Sequence, residues 1–264
     1  MSAVHSADEI LRHAAEWAWL PRNADLSQEN LQLVRYPQRL GGGVRGSRVD
    51  SILDPGEIID FAIGRVREWE ATRLTIWVGD ADSPNLEDEL RRRGAVHDDT
   101  VTIFARPIDA DEIRLPVGVA AEIVRSLEHV RGVDTINVSV WQQTALDEAG
   151  LRDELKEVSD ELRSGAGARV LATLDGRAAS TGGVTIVDGF ARLWGAATLE
   201  GFRGRGTYRA VLAERLRYAA AHGARTAIVK GRVATSAPIL ERCGFVRYGE
   251  ERAYRLDALI EPAE

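Results

Sequence analysis

The sequence predicts a mixed α/β fold, and three observations carry that prediction. Two Asp-Gly pairs, Asp175-Gly176 and Asp188-Gly189, sit between alternating apolar runs, the strongest short-range signal for hairpins. A helical pattern follows them, with Tyr208, Val211, Leu212, Leu216 and Ala219 on one face and Gly223 as its stop. Two distant segments, Thr75–Gly94 and Thr226–Gly244, repeat the same order of strand, capped helix and terminal glycine.

The elements follow in order. Asp54-Pro55-Gly56-Glu57 starts a helix, with Asp54 as cap and Pro55 in the first turn. Ile58, Ile59, Ala62, Val66 and Trp69 form its apolar stripe. Thr75–Val78 reads as a strand, and Ser83 to Gly94 as a capped helix stopped by glycine. A short strand is expected near Ala121–Val124. Ser126 then caps a helix from about Leu127 toward Trp141, and a second helix covers roughly Asp147–Arg163. The two Asp-Gly turns make residues 168–198 a three-strand antiparallel meander. After it come the helix beginning near Tyr208, a strand at Thr226–Val229, a short helix within Ser236–Gly244 and a closing strand or strand pair over Phe245–Leu256.

Gly94 and Gly244 stand 19 and 18 residues after Thr75 and Thr226, and ten residues beyond each glycine stands an aromatic, Phe104 or Tyr254. The period is far too long for a solenoid and suggests a duplicated fold. Two domains, 1–112 and 113–264, are therefore expected, linked by the segment from Arg106-Pro107 to Pro116.

Composition narrows the function classes. A chain of 264 residues is long enough to bury a large core without a metal or disulfide staple. Its 44% hydrophobic and 28% charged residues are those of a soluble globular protein, and no apolar run approaches the ~18 residues of a membrane helix. The net charge of −7 argues against general nucleic-acid binding and weakly favours cationic partners such as amines. One cysteine, Cys243, excludes an internal disulfide and a thiolate metal cluster and fits a reducing cytoplasmic setting. Histidines 5, 13, 97, 129 and 222 form no metal-spaced pair. Gly41-Gly42-Gly43-Val44-Arg45-Gly46 matches a dinucleotide pattern but lacks its strand–turn–helix context and reads as a loop.

Arg203-Gly204-Arg205-Gly206-Thr207-Tyr208 lies between a strand and an amphipathic helix. Glycines there let a ligand approach the backbone, and the loop and helix N–H groups form an anion site. Arg203, Arg205 and Arg209 add positive charge, so the segment suits a pyrophosphate. Gly244-Phe245 follows a short helix 38 residues after Gly206. On these residues the segment from about 120 to 256 resembles the GNAT family of N-acetyltransferases, whose loop reads Arg/Gln-x-x-Gly-x-Gly/Ala. Arg203 and Gly206 match, and Tyr208 replaces the last small residue. The resemblance implies a GNAT-like fold, arranged as a tandem pair whose N-terminal half has lost the loop. It implies an acyltransferase using acetyl-CoA, with no metal. Pantetheine would run along Ala196, Ala197 and Thr198, where a bulge aims an N–H at the thioester carbonyl. Pyrophosphate would sit on Arg203, Gly204, Arg205, Gly206, Thr207 and Tyr208. The acceptor would be an amine on a small molecule or a peptide.

The catalytic groups stay unassigned. The family's usual base position holds Phe190 here, and its usual acid position holds Leu240. Tyr248, Glu200 and Glu241 are conceivable substitutes, but each reads more readily as a surface or packing residue. Trp141 and Trp194 could wall an acceptor pocket or belong to the core, and Cys243 reads as an inert buried thiol. The missing acid and base motivate an alternative, a non-catalytic acyl-CoA-binding or sensor protein.

Overall fold

The computed structural model describes residues 5–49, 51–80, 82, 85–108 and 115–257. The expected boundary at 112/113 lies outside these residues, as do Ser83 and Pro84 of the expected helix cap. The chain divides into two compact units. An N-terminal unit takes Ala7–Phe104 with Gly231–Glu241 and Arg247–Glu264, and a C-terminal unit takes Met1–Ser6, Ala105–Lys230 and Arg242–Val246.

The N-terminal unit begins with α1 (Ala7–Ala15), β1 (Asp25–Gln28), β2 (Leu31–Arg35) and β3 (Val44–Val49). Next come α2 (Pro55–Glu68), β4 (Arg73–Gly79), α3 (Leu86–Arg92) and most of β5 (Val96–Pro107). β1, β2 and β3 pair antiparallel, and β3 then pairs in parallel with β4 over Val44–Gly46 and Leu74–Ile76. α2 has a reciprocal capping box. Asp54 accepts the Glu57 N–H at 3.0 Å while the Glu57 carboxylate accepts the Asp54 N–H at 3.1 Å. Its stripe, Ile58, Ile59, Ala62 and Val66, is buried with Leu31, Leu33, Leu74 and Ile76, and Trp69 packs at the margin.

The C-terminal unit continues with β6 (Val119–Ile123), α4 (Leu127–Trp141), α5 (Glu148–Ser164), β7 (Gly167–Leu174), β8 (Arg177–Val187) and β9 (Phe190–Thr198). Ser126 and Asp147 cap α4 and α5 by accepting the His129 and Gly150 N–H groups. β6 to β9 form an antiparallel meander. Both of its tight turns use Asp-Gly with positive φ, at Asp175 (+50°), Gly176 (+75°), Asp188 (+49°) and Gly189 (+79°), the hand that matches strand twist. α6 (Thr207–Ala221) then leads to β10 (Thr226–Arg232), which returns parallel to β9. α7 (Ala237–Arg242) and β11 (Val246–Asp257) close the chain, so the closing segment is one strand rather than a pair. In the N-terminal unit β11 lies antiparallel to β4.

α4 and α5 cover one face of the meander, where Val130, Val133, Leu151, Val158 and Leu171 form a core. Side chains alternate along a strand, so Gly182, which pairs with Val170 beside Leu171, turns to the other face. There it meets Val211 and Arg215 of α6. Trp19 is exposed and stacks on Tyr36, with ring centroids 5.9 Å apart.

Candidate functional site

The site is built where β9 ends and α6 begins. A single 3-10 turn, Glu200–Phe202, carries the chain off the strand, and Arg203 N–H closes it on the Glu200 carbonyl at 3.1 Å. Gly204 (φ +71°) and Gly206 (φ +85°) both take the left-handed conformation, which glycine adopts without steric penalty. Gly206 is the N-cap of α6 and brings no side chain to it. The first N–H groups of a helix have no partner within it, and here no side-chain cap takes them. No acidic residue stands in the first turn either, whereas Arg209 does and Arg203 and Arg205 precede it. A cationic first turn opposes the helix dipole unless an anion sits there.

The other half of the site is β9 itself. Between Thr181–Ala197 and Gly183–Trp194 the register with β8 shifts, so Gly195 and Ala196 together oppose Gly182. Gly195 has φ +59°, and the result is a β-bulge. On its other side β9 pairs with β10 only from Phe190 to Arg192, although β9 runs on to Thr198. Beyond Arg192 the register gives β9 no β10 partner, which leaves main-chain groups of Leu193–Thr198 for an extended ligand to meet. Ala197 turns into the α4–α5 core. Ser180 fixes the end of the strand, donating to the Ala197 carbonyl at 2.8 Å and sharing a hydrogen bond with the Thr198 hydroxyl. Thr207 is buried at the helix start, its hydroxyl 3.5 Å from the Phe202 carbonyl. Ala196, Ala197, Thr198 and Arg203 to Tyr208 thus lie along one continuous path of strand, turn and helix start.

The places of the family's usual acid and base are core. Phe190 is buried and stacks on His5 with ring centroids 3.8 Å apart. Leu240 is buried, its Cδ1 2.5 Å from where a Cβ on Gly231 would stand. Glu241 pairs with Arg247 at 2.6 Å, and Glu200 is exposed. Burial raises the Cys243 thiol above its ordinary range, against the pull of Arg209, Arg106 and Arg242, so it is held as thiol. Trp141 is exposed, whereas Trp194 donates to the Thr185 hydroxyl at 2.9 Å and stacks beneath Arg169, 4.3 Å from ring centroid to guanidinium carbon.

The N-terminal unit repeats the frame without the cradle. β3, α2 and β4 form a parallel pair of three registered residues joined by a helix, as β9, α6 and β10 do. At α2, however, the carboxylates of Asp54 and Glu57 already fill the helix start, so an anion is excluded by charge. The glycine-rich loop does not replace it. Gly41 and Gly42 N–H groups bond to Gln38 and Pro37, and their carbonyls face the Arg73 guanidinium. Among the described residues no group of three or more His, Cys, Asp or Glu side chains could hold a metal, and no helix is long and apolar enough to cross a membrane.

Sequence reasoning missed Arg215. The residue is 1% exposed, and its guanidinium carbon lies 5.9 Å from the centroid of the Tyr208 ring. The signal was its spacing: Arg215 stands seven residues after Tyr208, on the same helix face as the apolar stripe.

No protein-family model and no curated protein matches the chain. Solved structures do. A GCN5-related N-acetyltransferase from Kribbella flavida is 18% identical, with a TM-score of 0.67 over 94% of both chains. One from Sphaerobacter thermophilus is 17% identical, with a TM-score of 0.66 over 98% of this chain and 87% of its own. A tandem GNAT protein from the clavulanic acid biosynthesis pathway is 14% identical, with a TM-score of 0.62 over 100% of this chain and 92% of its own. The fold of this chain is therefore the GNAT fold, and the likeness runs through its N-terminal part as well as through 120–256.

Proposed function

We propose that the protein is an acetyl-CoA-dependent N-acetyltransferase whose acceptor is a primary amine on a small molecule or peptide. The observation that carries this reading is the pairing of an acid-free, glycine-capped start of α6 with a β9 edge that its parallel neighbour leaves after three residues. Such an arrangement suits a ligand with an anionic group at one end and an extended amide chain behind it. In this reading Arg203, Gly204, Arg205, Gly206, Thr207 and Tyr208 hold the pyrophosphate, and Ala196, Ala197 and Thr198 align the pantetheine. The bulge at Gly195-Ala196 presents an N–H to the thioester carbonyl. The halves 1–112 and 113–264 descend from one duplicated unit, and only the second keeps the donor site.

A second reading, a non-catalytic acyl-CoA sensor, is favoured by the burial of Phe190 and Leu240 in the core. Calorimetric titration with acetyl-CoA, beside a folded Gly206→Glu variant, tests what the two readings share. Wild type should bind one equivalent and the variant none. A panel of primary amines scored for CoA release then separates them, since only the enzyme turns over. Folded wild type that ignores acetyl-CoA would overturn both.

A further inference from the structure

Arg215 carries a positive charge that no carboxylate among the described residues balances. It is fully buried, and among the described residues no carboxylate lies within ion-pair reach. Its Nη1 makes one long bond to the Gly183 carbonyl at 3.4 Å, and the phenol of Tyr208 lies against it. Nε and Nη2 have no hydrogen-bond partner. Burying an unpaired charge is strongly unfavourable, so its place in the fold matters. Nη1 and Cζ stand 3.1 and 3.2 Å from where a Cβ on Gly182 would be, so glycine gives the guanidinium room that a Cβ would crowd. Gly182 is the residue that opposes the Gly195–Ala196 bulge, and adjacent strands are only about 4.8 Å apart. The uncompensated cation therefore sits under the bulge, and the ionisable groups that face it or its phenol partner are Tyr208 itself and, beside Tyr208, Cys243.

We propose that Arg215 is an electrostatic positioning residue for acyl transfer, its field favouring the negative charge that develops at the bulge. This rests on the acetyltransferase reading. In the reaction the amine nitrogen bonds to the acetyl carbon, and the carbonyl oxygen takes up negative charge. The C–S bond then breaks with its electron pair left on sulfur, and the proton lost by the nitrogen ends on that sulfur as CoA thiol. On both anions the buried cation acts as a fixed charge that does not reorganise. Tyr208, whose ring packs against the guanidinium, holds it there. This gives the phenol that departs from the small-residue pattern a role.

The test needs no acceptor. The thiol of bound CoA is titrated by its thiolate absorbance at 232 nm, as the difference from desulfo-CoA, in wild type, Arg215→Met and Arg215→Lys. The bound thiol should titrate below free CoA in wild type. It should rise by about one pH unit, a tenfold change in proton affinity, in Arg215→Met. Arg215→Lys should restore most of the shift, with CoA affinity unchanged within threefold throughout. Exchange of a buried charge for an apolar chain of similar length often leaves stability intact, and Arg215→Gln decides the matter if the Met variant does not fold. Identical thiol titration in wild type and the uncharged variant overturns the proposal while leaving the acetyltransferase reading standing. Failure of wild type to bind CoA overturns both.

Discussion

Gly206 and Pro116 approach so closely that only a hydrogen fits between them: a Cβ on Gly206 would stand 2.5 Å from Pro116 Cγ and 2.9 Å from Cδ. The glycine also holds φ +85°. Gly206→Ala therefore meets backbone strain and a clash with a rigid ring together, and should cost about 2–4 kcal/mol. Gly204 shares the positive φ but has nothing within 4 Å of a built Cβ, so Gly204→Ala should cost only about 1–2 kcal/mol. Thermal unfolding of both variants checks the order, and calorimetry should show acetyl-CoA affinity falling at least tenfold for Gly206→Ala. Equal losses of stability would mean that Pro116 gives way.

The two helix starts at α2 and α6 predict opposite sensitivities. Asp54 caps α2 with its own carboxylate, so Asp54→Ala should lose about 1 kcal/mol of stability and leave acetyl-CoA affinity unchanged. A fall in affinity with Asp54→Ala would show that the N-terminal half takes part in donor binding. Denaturant midpoints and calorimetry on one preparation read both.

Gly183 is the floor on which Trp194 lies. An added Cβ would stand 2.5 Å from Trp194 Cε2 and Cζ2, so Gly183→Ala must tilt the indole away from Thr185 and from Arg169. A loss of about 1–3 kcal/mol is expected, with a change in tryptophan emission that Trp194→Phe abolishes. Unchanged emission would place the strain elsewhere.

The parts legible in the sequence were those governed by local rules. The Asp-Gly turns at Asp175 and Asp188, the caps at Asp54 and Ser126, and the glycine stop at Gly223 each act within a few residues. β1 and β3 were not legible. Asp25–Gln28 and Val44–Val49 are short and mixed in burial pattern, and only pairing with β2 makes them strands. At the site, the glycines of the cradle announce themselves. The bulge at Gly195 was expected from the resemblance, but its placement opposite Gly182 depends on the register with β8. Arg215 hides because a helix stripe that contains Tyr208, Val211 and Leu212 reads as apolar until the facing glycine is known.

Glu87 ties α3 to β11 and gives the N-terminal unit a defined acid limit. Burial alone would raise its carboxyl, but hydrogen bonds from Arg252 and from the Tyr254 hydroxyl at 2.9 Å, with the charges of Arg252 and Arg91, hold it below the usual range. An unfolded glutamate titrates near 4.3. A carboxylate lowered in the folded state contributes stability that is present above that value and lost as pH falls through the folded one. Tyr254 moves the other way: its own burial and the bond to Glu87 raise its phenol, so its contribution is complete below about pH 10 and lost above it. Glu87→Gln should therefore be less stable than wild type at pH 7, with the difference closing below about pH 4 and the alkaline limit moving toward neutrality. Denaturant midpoints at pH 3.5, 7 and 10.5 test both limbs, and a difference that stays constant from pH 7 to 3.5 would show that packing, not charge, is what Glu87 contributes.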